Sequence, residues 1–498
     1  MARVVVIGAG FSGLSAASYL SAAGHQVQVY EKNESAGGRA RQLITSNGYL
    51  FDMGPSWYWM PDIFERFFND FGYSVSDFYQ LKLLDPSFDI VFHDQEVMRI
   101  PQNFDALRIL FESIEPGSSL RLDNFMEEAS KKYEVGMKAF AYMPGLSMAE
   151  FADVNLIYSA LRLNVFTSLS THVRKYFSHP KLIALMEFPV LFLGAMPQDT
   201  PALYSLMNYA ALNLGTWYPQ GGFGKVVDSI VEIACSQGTE FYFNSPVEKI
   251  IVENSKATGV RVDGEVIACD AVVAAADYHY VENCLLPKSM ANYPETYWQK
   301  KTFAPSCLIY FIGLTEKINN LNHHTLFFDE DLLQHSKEIY KSPQWPTKPL
   351  FYVSCTSRSD DRVAPKGHEN LFLLMPIASG LQEDEVIREK YFDIMMGRIE
   401  KYLGRSIRHL IDFKKSYSVS DFTRDYHSYK GNAYGLANTL RQTALLKPKI
   451  RNKKVKNIFY AGQLTVPGPG VPPSLISGKI AATQLIKHLN LRKHEVAI

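Results

Sequence analysis

The stretch RVVVIGAGFSGLSAASYLSAAGHQVQVYE, from Arg3 to Glu31, decides the fold. It opens with a β-branched run, RVVVI, which is typical of a buried parallel strand. Residues 12–23 are small and apolar, as in a helix packed closely on a sheet, and Gly24 suits the end of that helix. Val27 and Val29 then alternate with polar residues in a second strand. The stretch therefore predicts a βαβ unit.

Three glycines follow the first predicted strand at the spacing of a dinucleotide-binding turn. Gly8 permits the tight turn, Gly10 lets the backbone approach a pyrophosphate, and Gly13 lets the helix pack closely on the strand. The helix N-terminus adds free N–H groups and a partial positive charge for the phosphates. Glu31 ends the second strand, where its carboxylate can accept hydrogen bonds from ribose hydroxyls. The motif predicts a dinucleotide site, but by itself it does not separate NAD from FAD.

Two further parts of the chain have the pattern of the same domain. Residues 241–278 are predicted to form strands, with turns at Asn254-Ser255 and Asp263-Gly264. Near the end, NIFYAG (457–462) predicts a short buried strand, followed by a Gly/Pro loop and a helix from about 474 to 489. A length of 498 residues also favours two domains.

We therefore predict an α/β protein with a discontinuous, Rossmann-like dinucleotide-binding domain and an inserted α+β domain that binds the substrate and associates with a membrane. The pattern of the first insertion is mainly helical, and it is preceded by four phenylalanines on one helix face. The predicted dinucleotide-binding domain consists of residues 1–75, 218–285 and 441–498. The predicted substrate-binding domain consists of residues 76–217 and 286–440.

Composition excludes several classes of protein. Lys+Arg and Asp+Glu are both 51, so the basic excess of a nucleic-acid-binding protein is missing. The five cysteines are scattered, so we expect no disulfide framework, no metal site and a reducing cytoplasm. The best candidate for a membrane span, Leu182 to Met196, is too short and is interrupted by Glu187 and Pro189. We expect a cytoplasmic protein that lies on a membrane rather than crossing it.

Two motifs that follow the βαβ unit carry a resemblance to a known family. They are Gly37-Gly38-Arg39-Ala40 and Phe51-Asp52-Met53-Gly54-Pro55-Ser56. Here the sequence resembles the flavoprotein superfamily that includes amine oxidases and carotenoid desaturases. The resemblance implies FAD, with Gly38 and Arg39 at its phosphates and Gly54, Pro55 and Ser56 beside the flavin ring. Arg39 suits a phosphate because a guanidinium is permanently charged and donates in a fork.

The closing segment narrows the family. NIFYAGQLTVPGPGVPPSLISGKIAA (457–482) is similar to the C-terminal signature of bacterial-type phytoene desaturases, with departures that leave the substrate open. The resemblance implies that Gly462, Gln463 and Val471 contact FAD, and we expect Val247 to offer backbone contacts to the adenine. Pro472-Pro473 suit a first helical turn, whose N–H groups would favour an anionic reduced flavin.

The resemblance implies a carotenoid desaturase, with phytoene desaturation towards lycopene as the leading hypothesis. Such a reaction takes a hydride and a proton from neighbouring carbons of a polyene hydrocarbon, which requires a long apolar tunnel. Trp57, Tyr58 and Trp59 are placed to line that tunnel. Glu150 lies where relatives carry acidic residues thought to act near the substrate. Because no second dinucleotide motif is found, we expect oxygen or a quinone as the electron acceptor.

Alternatives stay open on the same motifs. A 1-hydroxycarotenoid 3,4-desaturase or another polyene desaturase or isomerase would share them. An amine oxidase and a non-catalytic binding protein like the GDP-dissociation inhibitors are more remote.

Docking on a membrane lipid surface follows from an insoluble substrate, and two features could serve it. The first is an apolar stripe within residues 156–177. The second is a run of basic residues: Lys447, Lys449, Arg451, Lys453, Lys454 and Lys456.

Overall fold

The computed structural model describes residues 1–138, 140–147, 150, 167–439, 441–443 and 446–496. Its strands, numbered β1 to β19 in chain order, are Arg3–Ile7, Gln26–Tyr30, Gln42–Ile44, Leu50–Asp52, Leu81–Leu83, Phe88–Val91, Val97–Ile100, Trp217–Pro219, Glu240–Tyr242, Val247–Glu253, Lys256–Val262, Glu265–Ala268, Ala271–Ala274, Ser306–Leu314, His324–Phe327, Phe351–Ser354, Glu369–Ile377, Ile411–Tyr417 and Ile458–Tyr460. Its α-helices, numbered α1 to α14, are Phe11–Ala22, Pro61–Asn69, Phe104–Ile114, Ser118–Lys138, Leu169–Val173, Pro180–Glu187, Leu206–Leu212, Phe223–Ser236, Tyr278–Tyr280, Glu295–Gln299, Leu332–Tyr340, Glu385–Leu403, Val419–Tyr426 and Val471–Val496.

A five-stranded parallel sheet forms the first layer, in the order β19-β13-β1-β2-β9. Its strands come from three distant parts of the chain. Strand β13 is buried along its whole length and β1 along all but its first residue, as expected for a parallel sheet covered on both faces. The α/β fold class with a Rossmann-like domain built from discontinuous segments is therefore confirmed.

Helices α1 and α14 pack against each other beside this sheet. A side chain at Gly478 would overlap the carbonyl oxygen of Ser12, so glycine permits the close approach. The Ser15 hydroxyl donates to the carbonyl of Leu475 at 2.7 Å. Helix α14 begins at Val471, so the two prolines that follow lie in its first turn, as the sequence predicts.

Strands β10, β11 and β12 form a small antiparallel sheet beside the parallel one. Its two turns lie at Asn254-Ser255 and Asp263-Gly264, where the sequence predicts them. All four residues have positive φ, between 47° and 78°, which is the conformation of tight hairpin turns.

A seven-stranded sheet forms the second layer, in the order β18-β14-β17-β16-β15-β6-β7. Only β6 and β15 pair in parallel. Side chains of β14 alternate between the two faces: Tyr310 packs with Phe392 of α12, whereas Ile309 faces the opposite side. The first insertion contributes β6 and β7 to this sheet, although its sequence pattern is mainly helical. The difference arises because these short strands are stabilised by pairing with distant residues.

Helices from the first insertion cover the open side of this sheet. Preceding them, α2 buries Phe64, Phe67 and Phe68 in the core of the first layer, while Phe71 is partly buried against it. Within the described part of the chain, no helix has the length and apolar character needed to cross a bilayer.

Candidate active site

One large cavity opens at the carboxyl edge of the parallel sheet. Four strands end there, and the residue after each of them lines the cavity: Gly8, Glu31, Ala275 and Ala461. Carboxyl ends of parallel strands meet at one edge, and ligands of open α/β sheets bind in that crevice. The topology thus brings residues from the two ends of the chain together.

The glycine turn after β1 has the geometry of a phosphate cradle. Gly8 has a φ of +99°, and a side chain at Gly13 would overlap the carbonyl oxygen of Gly8. Gly10 precedes α1 without a side-chain cap among the described residues. The first N–H groups of α1 therefore point, uncapped, towards the cavity edge, which suits an anionic ligand.

Glu31 is 5% exposed and is held rigidly at this edge. Its Oε2 accepts from the N–H of Ala9 at 2.8 Å. Its Oε1 accepts from the backbone N–H of Asn33 at 2.9 Å and from the Asn33 side chain at 2.6 Å. A carboxylate has about four lone-pair positions, so one remains for a ligand hydroxyl.

Arg39 lies in the wall of the cavity between the two layers. Its guanidinium stacks on the ring of Tyr426 at 5.0 Å and donates to Ser428 and to the carbonyl of Asn432. The side-chain amide of Gln463 lies 2.9 Å from it and accepts a hydrogen bond when its oxygen, rather than its nitrogen, faces Arg39. No carboxylate among the described residues lies within ion-pair distance, and burial lowers the pKa of Arg39. The guanidinium remains a cation that faces the cavity and is available to an anion.

Beyond the glycine turn, the cavity continues into an apolar chamber. Its wall combines the extended segment after Ser56, helix α7 and the face of the seven-stranded sheet that the helices of the first insertion cover. The lining side chains are predominantly apolar or aromatic: Trp57, Trp59, Met60, Met207, Cys307, Ile309, Tyr352, Leu374 and Tyr434. The two ends form one continuous cavity, charged and polar at the glycine turn and apolar at the other end.

Comparison with known proteins identifies the family. The profile of the family described as flavin containing amine oxidoreductase matches residues 11–486. A carotenoid 3,4-desaturase from Haloarcula japonica is 40% identical over 487 residues, and 98% of both chains is covered. A zeta-carotene-forming phytoene desaturase from Myxococcus xanthus is 28% identical, with 97% of this chain and 94% of that chain covered. The chain belongs to the carotenoid desaturase branch of this flavin oxidoreductase family.

The desaturase also has structural relatives. An oxidoreductase from Methanosarcina mazei has a TM-score of 0.60 at 17% identity, with 96% of this chain and 99% of that chain covered. At this identity the similarity shows the fold alone. The expected cofactor, FAD, is confirmed by the family, and the uncapped helix start, the cationic Arg39 and the anchored Glu31 fit a dinucleotide of this kind.

Most residues that the sequence assigns to the cofactor of the desaturase line this cavity: Gly8, Gly10, Glu31, Gly38, Arg39, Gly54, Pro55, Ser56, Val247, Gly462, Gln463 and Val471. Gly13 lies behind the turn, where it permits the close packing of α1. Gly462 has a φ of +116°, and its N–H donates to the Ser477 hydroxyl at 2.9 Å. This bond ties the last strand to α14.

The sequence motifs did not predict two features of the cavity. Tyr280 and His427 stack with ring centroids 3.8 Å apart and line the cavity near Val247. Asp277 follows β13; burial raises the pKa of its carboxyl, while the N–H of Tyr280 and the charge of Arg39 lower it. A signal for Asp277 was present, because it lies three residues beyond the end of a buried strand of the predicted domain.

Tyr58 does not line the cavity, although the sequence places it in the tunnel wall. It is fully buried away from the cavity, where its ring stacks on Phe64 at 4.2 Å and its hydroxyl lies 2.9 Å from that of Tyr79. Trp57 and Trp59 do line the chamber. The reason is the alternation of an extended segment, in which successive side chains point to opposite faces.

Glu150 is also placed differently from the expectation. Its carboxylate accepts from the N–H groups of Gly145, Leu146 and Ser147 at 2.7 to 3.1 Å. These bonds hold it in a local loop, and it is absent from the described lining of the cavity. Glu150 therefore lies beside this loop rather than in the described wall of the chamber, where the prediction places it.

The structure places the two features predicted for membrane docking, the apolar stripe and the basic run, only partly at the surface. Residues 156–166 of the apolar stripe lie outside the described residues, whereas Leu169, Val173 and Phe177 are buried in the core. In the basic run, Lys447 is only 3% exposed, and burial lowers the pKa of its amine to about 7. Lys453, Lys454 and Lys456 remain exposed. The run is therefore a smaller charged surface than the sequence predicts.

Proposed function

We propose that this protein is a carotenoid desaturase that introduces a 3,4 double bond into a carotenoid. The observation that carries the proposal is the continuous cavity, which joins the dinucleotide-binding edge of the parallel sheet to an apolar chamber. A polyene offers almost no polar handle, so its recognition depends on such a chamber. The 40% identity to a carotenoid 3,4-desaturase supports the position of the new bond.

The chemistry requires little from the protein beyond binding and orientation. One carbon loses a hydride, its neighbour loses a proton that is finally released to solvent, and a second bond forms between the two carbons. FAD, when bound, supplies the acceptor of the hydride. The apolar chamber excludes water and holds the polyene across the cavity, so that orientation contributes to the rate. Trp57 and Trp59 line the chamber. An aromatic face turned to the substrate would stabilise developing positive charge by about 2 kcal/mol when dry.

The proposed cofactor contacts follow the geometry of the cavity edge. The N–H groups at the start of α1 would hold the pyrophosphate, and Glu31 would accept from the ribose. Arg39 and Gln463 would face the phosphates or the flavin edge from the opposite wall. The first turn of α14, at Val471, would place its partial positive charge beside the flavin.

Phytoene desaturation towards lycopene is the second candidate, favoured by the 28% identity to a phytoene desaturase. The FAD-loaded protein should be incubated separately with phytoene and with a carotenoid that lacks only the 3,4 double bond. Products are separated by chromatography and identified by absorbance. A new 3,4 bond with phytoene untouched supports the first proposal, whereas conversion of phytoene alone supports the second. If neither reacts while an amine does, both proposals fail.

We also propose oxygen or a quinone as the electron acceptor, because the sequence carries a single dinucleotide-binding turn. Turnover measured without oxygen, with and without an added quinone, separates the two. Dependence on NAD(P) would contradict this proposal.

We further propose that the protein docks on the membrane that holds its substrate. The exposed lysines at 453, 454 and 456 offer the positive charge, and each charge near an anionic leaflet contributes about 1 kcal/mol. Leu146 and Leu446 are exposed, and Lys449 of the same basic run donates to the carbonyl of Gly145, next to Leu146. Apolar and basic groups are thus neighbours on one surface.

A further inference from the structure

A proton must leave the apolar chamber in each turnover of the proposed desaturation. Among the described residues, the wall of the chamber carries no carboxylate and no imidazole. The carboxylates of the described cavity lining all belong to the dinucleotide-binding end: Glu31, Asp277 and Asp425. Within the part of the chain that the structure describes, a base for this proton can therefore lie only behind the chamber wall.

Tyr352 connects the chamber to a buried histidine. Its side chain lines the cavity, and its phenol oxygen lies 2.6 Å from Nδ1 of His324. His324 is fully buried, and its ring stacks on Trp57 with centroids 4.0 Å apart and planes 11° apart. The stacking fixes the ring, so Nδ1 stays directed at the phenol.

A second histidine continues from His324 towards the surface. His323 is buried, and its ring packs edge-on against that of His324 with centroids 4.4 Å apart. Its Nδ1 lies 2.8 Å from the hydroxyl oxygen of Ser359. Ser359 is half-buried, and the exposed Lys82 donates to its carbonyl at 3.1 Å. Consecutive contacts between polar side chains thus lead from the chamber to the protein surface.

The Nε2 atoms of the two histidines are buried, and neither has a hydrogen-bond partner among the described residues. Buried polar atoms of folded proteins are paired in the large majority of cases, so two unpaired atoms on neighbouring rings require an explanation. Neither Nε2 is held in a fixed hydrogen bond. Each ring can therefore take up or release a proton at this atom.

Both imidazole rings are neutral and weakly basic. Burial lowers the pKa of His324 well below its ordinary value, and burial together with the charge of Lys82 lowers the pKa of His323 to about 3. A weak base suffices here, because a carbon that has lost a hydride is a cation and makes the neighbouring C–H bond strongly acidic. A weak base also releases the proton quickly. Burial raises the pKa of Tyr352, so the phenol passes a proton on without remaining ionised.

We propose that Tyr352 and His324 accept the proton of the desaturation and that His323 and Ser359 lead it to the surface. The inference rests on the proposed desaturase function and adds the path of the proton. Only Tyr352 faces the substrate, and the two histidines act through it as positioning residues.

The proton transfer balances with the hydride transfer to FAD. The C–H bond next to the cation breaks, and its electron pair forms the second carbon–carbon bond. The proton adds to the Tyr352 oxygen while the phenolic proton moves to Nδ1 of His324. The imidazolium then releases the proton at Nε2 towards His323, and one proton reaches solvent. Exchange with solvent between turnovers restores the neutral tautomer in which Nδ1 is bare.

The test follows a single turnover without oxygen. The FAD-loaded protein is mixed with a carotenoid that lacks only the 3,4 double bond, or separately with phytoene, and flavin bleaching is recorded together with a pH indicator. Tyr352→Phe and His324→Asn should slow bleaching about 100-fold, the usual contribution of a positioned base. Asparagine keeps an acceptor where Nδ1 lies but cannot take up a proton. The wild type should show a solvent isotope effect in D2O that both variants lose.

His323→Asn tests the second part of the path. Bleaching and proton release should coincide in the wild type, whereas in this variant proton release should lag behind bleaching. His409→Asn, at an exposed position, is the matched control and should behave like the wild type. The flavin absorbance of each variant checks that it folds and binds FAD.

Two further measurements do not depend on turnover. Binding of the carotenoid to the FAD-free protein, followed by quenching of tryptophan fluorescence, should be the same in the wild type and in His324→Asn. Nitrogen-15 NMR of labelled histidines should show His324 neutral with Nδ1 unprotonated, the signal being assigned by its loss in His324→Asn.

Unchanged bleaching rates in flavin-loaded Tyr352→Phe and His324→Asn would overturn the inference and leave the desaturase function intact. A resting His324 that carries its proton on Nδ1, or a slow His324→Asn that has merely lost carotenoid binding, would overturn it as well. If neither carotenoid bleaches the flavin of the wild type, the proposed function itself fails.

Discussion

The carboxylate of Glu31 accepts a 2.8 Å hydrogen bond from the N–H of Ala9, so the end of β2 is tied directly to the glycine turn after β1. The same carboxylate holds Asn33, whose side chain also donates to the carbonyl of Asp425 at 3.3 Å. Through these bonds one residue connects the proposed cofactor turn to α13, which comes from the inserted part of the chain. Removing the Glu31 carboxylate should weaken cofactor binding more than it lowers the stability of the fold.

Glu31→Ala should weaken FAD binding about 30-fold. A hydrogen bond to a charged group contributes about 2 kcal/mol, which corresponds to that factor. Glu31→Gln should have a smaller effect, since its amide oxygen can still accept from Ala9. Titration of the apoprotein with FAD, followed by flavin fluorescence, measures the dissociation constant. Glu265→Ala, at an exposed position of β12, is the control. An unchanged dissociation constant in Glu31→Ala would refute the assigned role.

Gly13→Ala should destabilise the protein by about 3 kcal/mol or more, because the new methyl group would overlap the carbonyl oxygen of Gly8 and neither backbone can move freely. Gly397→Ala is the opposite case. Gly397 lies exposed in α12, and nothing lies within 4 Å of a side chain there. This change should stabilise the protein by about 0.5 to 1 kcal/mol. Urea unfolding of both variants measures the two changes in stability. A loss of stability in Gly397→Ala would contradict the predicted gain at that position.

Lys447→Met should stabilise the protein, and the gain should depend on pH. Burial lowers the pKa of the Lys447 amine to about 7 from 10.5, so between these values the unfolded chain binds more protons than the folded protein. The stability of the wild type should therefore rise with pH through this window, and it should be lowest at and below pH 7. The advantage of the variant should be on the order of 5 kcal/mol near pH 6 and should shrink towards pH 10.

The control for this prediction is Lys453→Met, at an exposed position of the same basic run. Its urea midpoint should differ little from that of the wild type at any pH. A constant difference between Lys447→Met and the wild type from pH 6 to pH 10 would show that the amine is not desolvated.

Met207→Trp should fill the apolar chamber and block carotenoid turnover while FAD remains bound. Met207 lines the cavity and is partly buried on α7, so a larger ring can enter the chamber rather than the core. The volume-conserving change Met207→Leu should cost less than about 1.5 kcal/mol and should retain turnover. Product formation and the flavin spectrum are measured together. Full turnover in Met207→Trp would place the polyene elsewhere.

The protein should rise with anionic liposomes in a flotation assay and should detach partly at high salt. Replacing Lys453, Lys454 and Lys456 together by glutamine should lower the bound fraction, because surface charge contributes to membrane affinity. The equivalent triple change at exposed Lys337, Lys341 and Lys366 controls for net charge. Equal binding to neutral and anionic vesicles would remove the basic residues from the mechanism of docking.

Local features of the sequence were sufficient for the cofactor side of the cavity. The glycine turn, the end of β2 and the prolines at the start of α14 are each set within a few residues by backbone conformation and helix ends. For the same reason the tight turns of the small antiparallel sheet were predictable from Asn254-Ser255 and Asp263-Gly264. Tyr58 shows where this reasoning stops, because sequence proximity to Trp57 and Trp59 does not give the direction of a side chain.

By itself, the sequence determined the βαβ unit, the dinucleotide turn and the family. These depend on contacts between residues close in the chain and on a turn whose backbone conformation requires glycine. The tertiary structure alone decided the apolar chamber. Its walls include Ile309, Tyr352 and Leu374, which lie on separate strands and meet only through sheet register. It also buried the basic Lys447 and placed His324 behind Tyr352. Pairing between distant strands sets which side of each strand faces the cavity, and no local pattern of the chain contains that information.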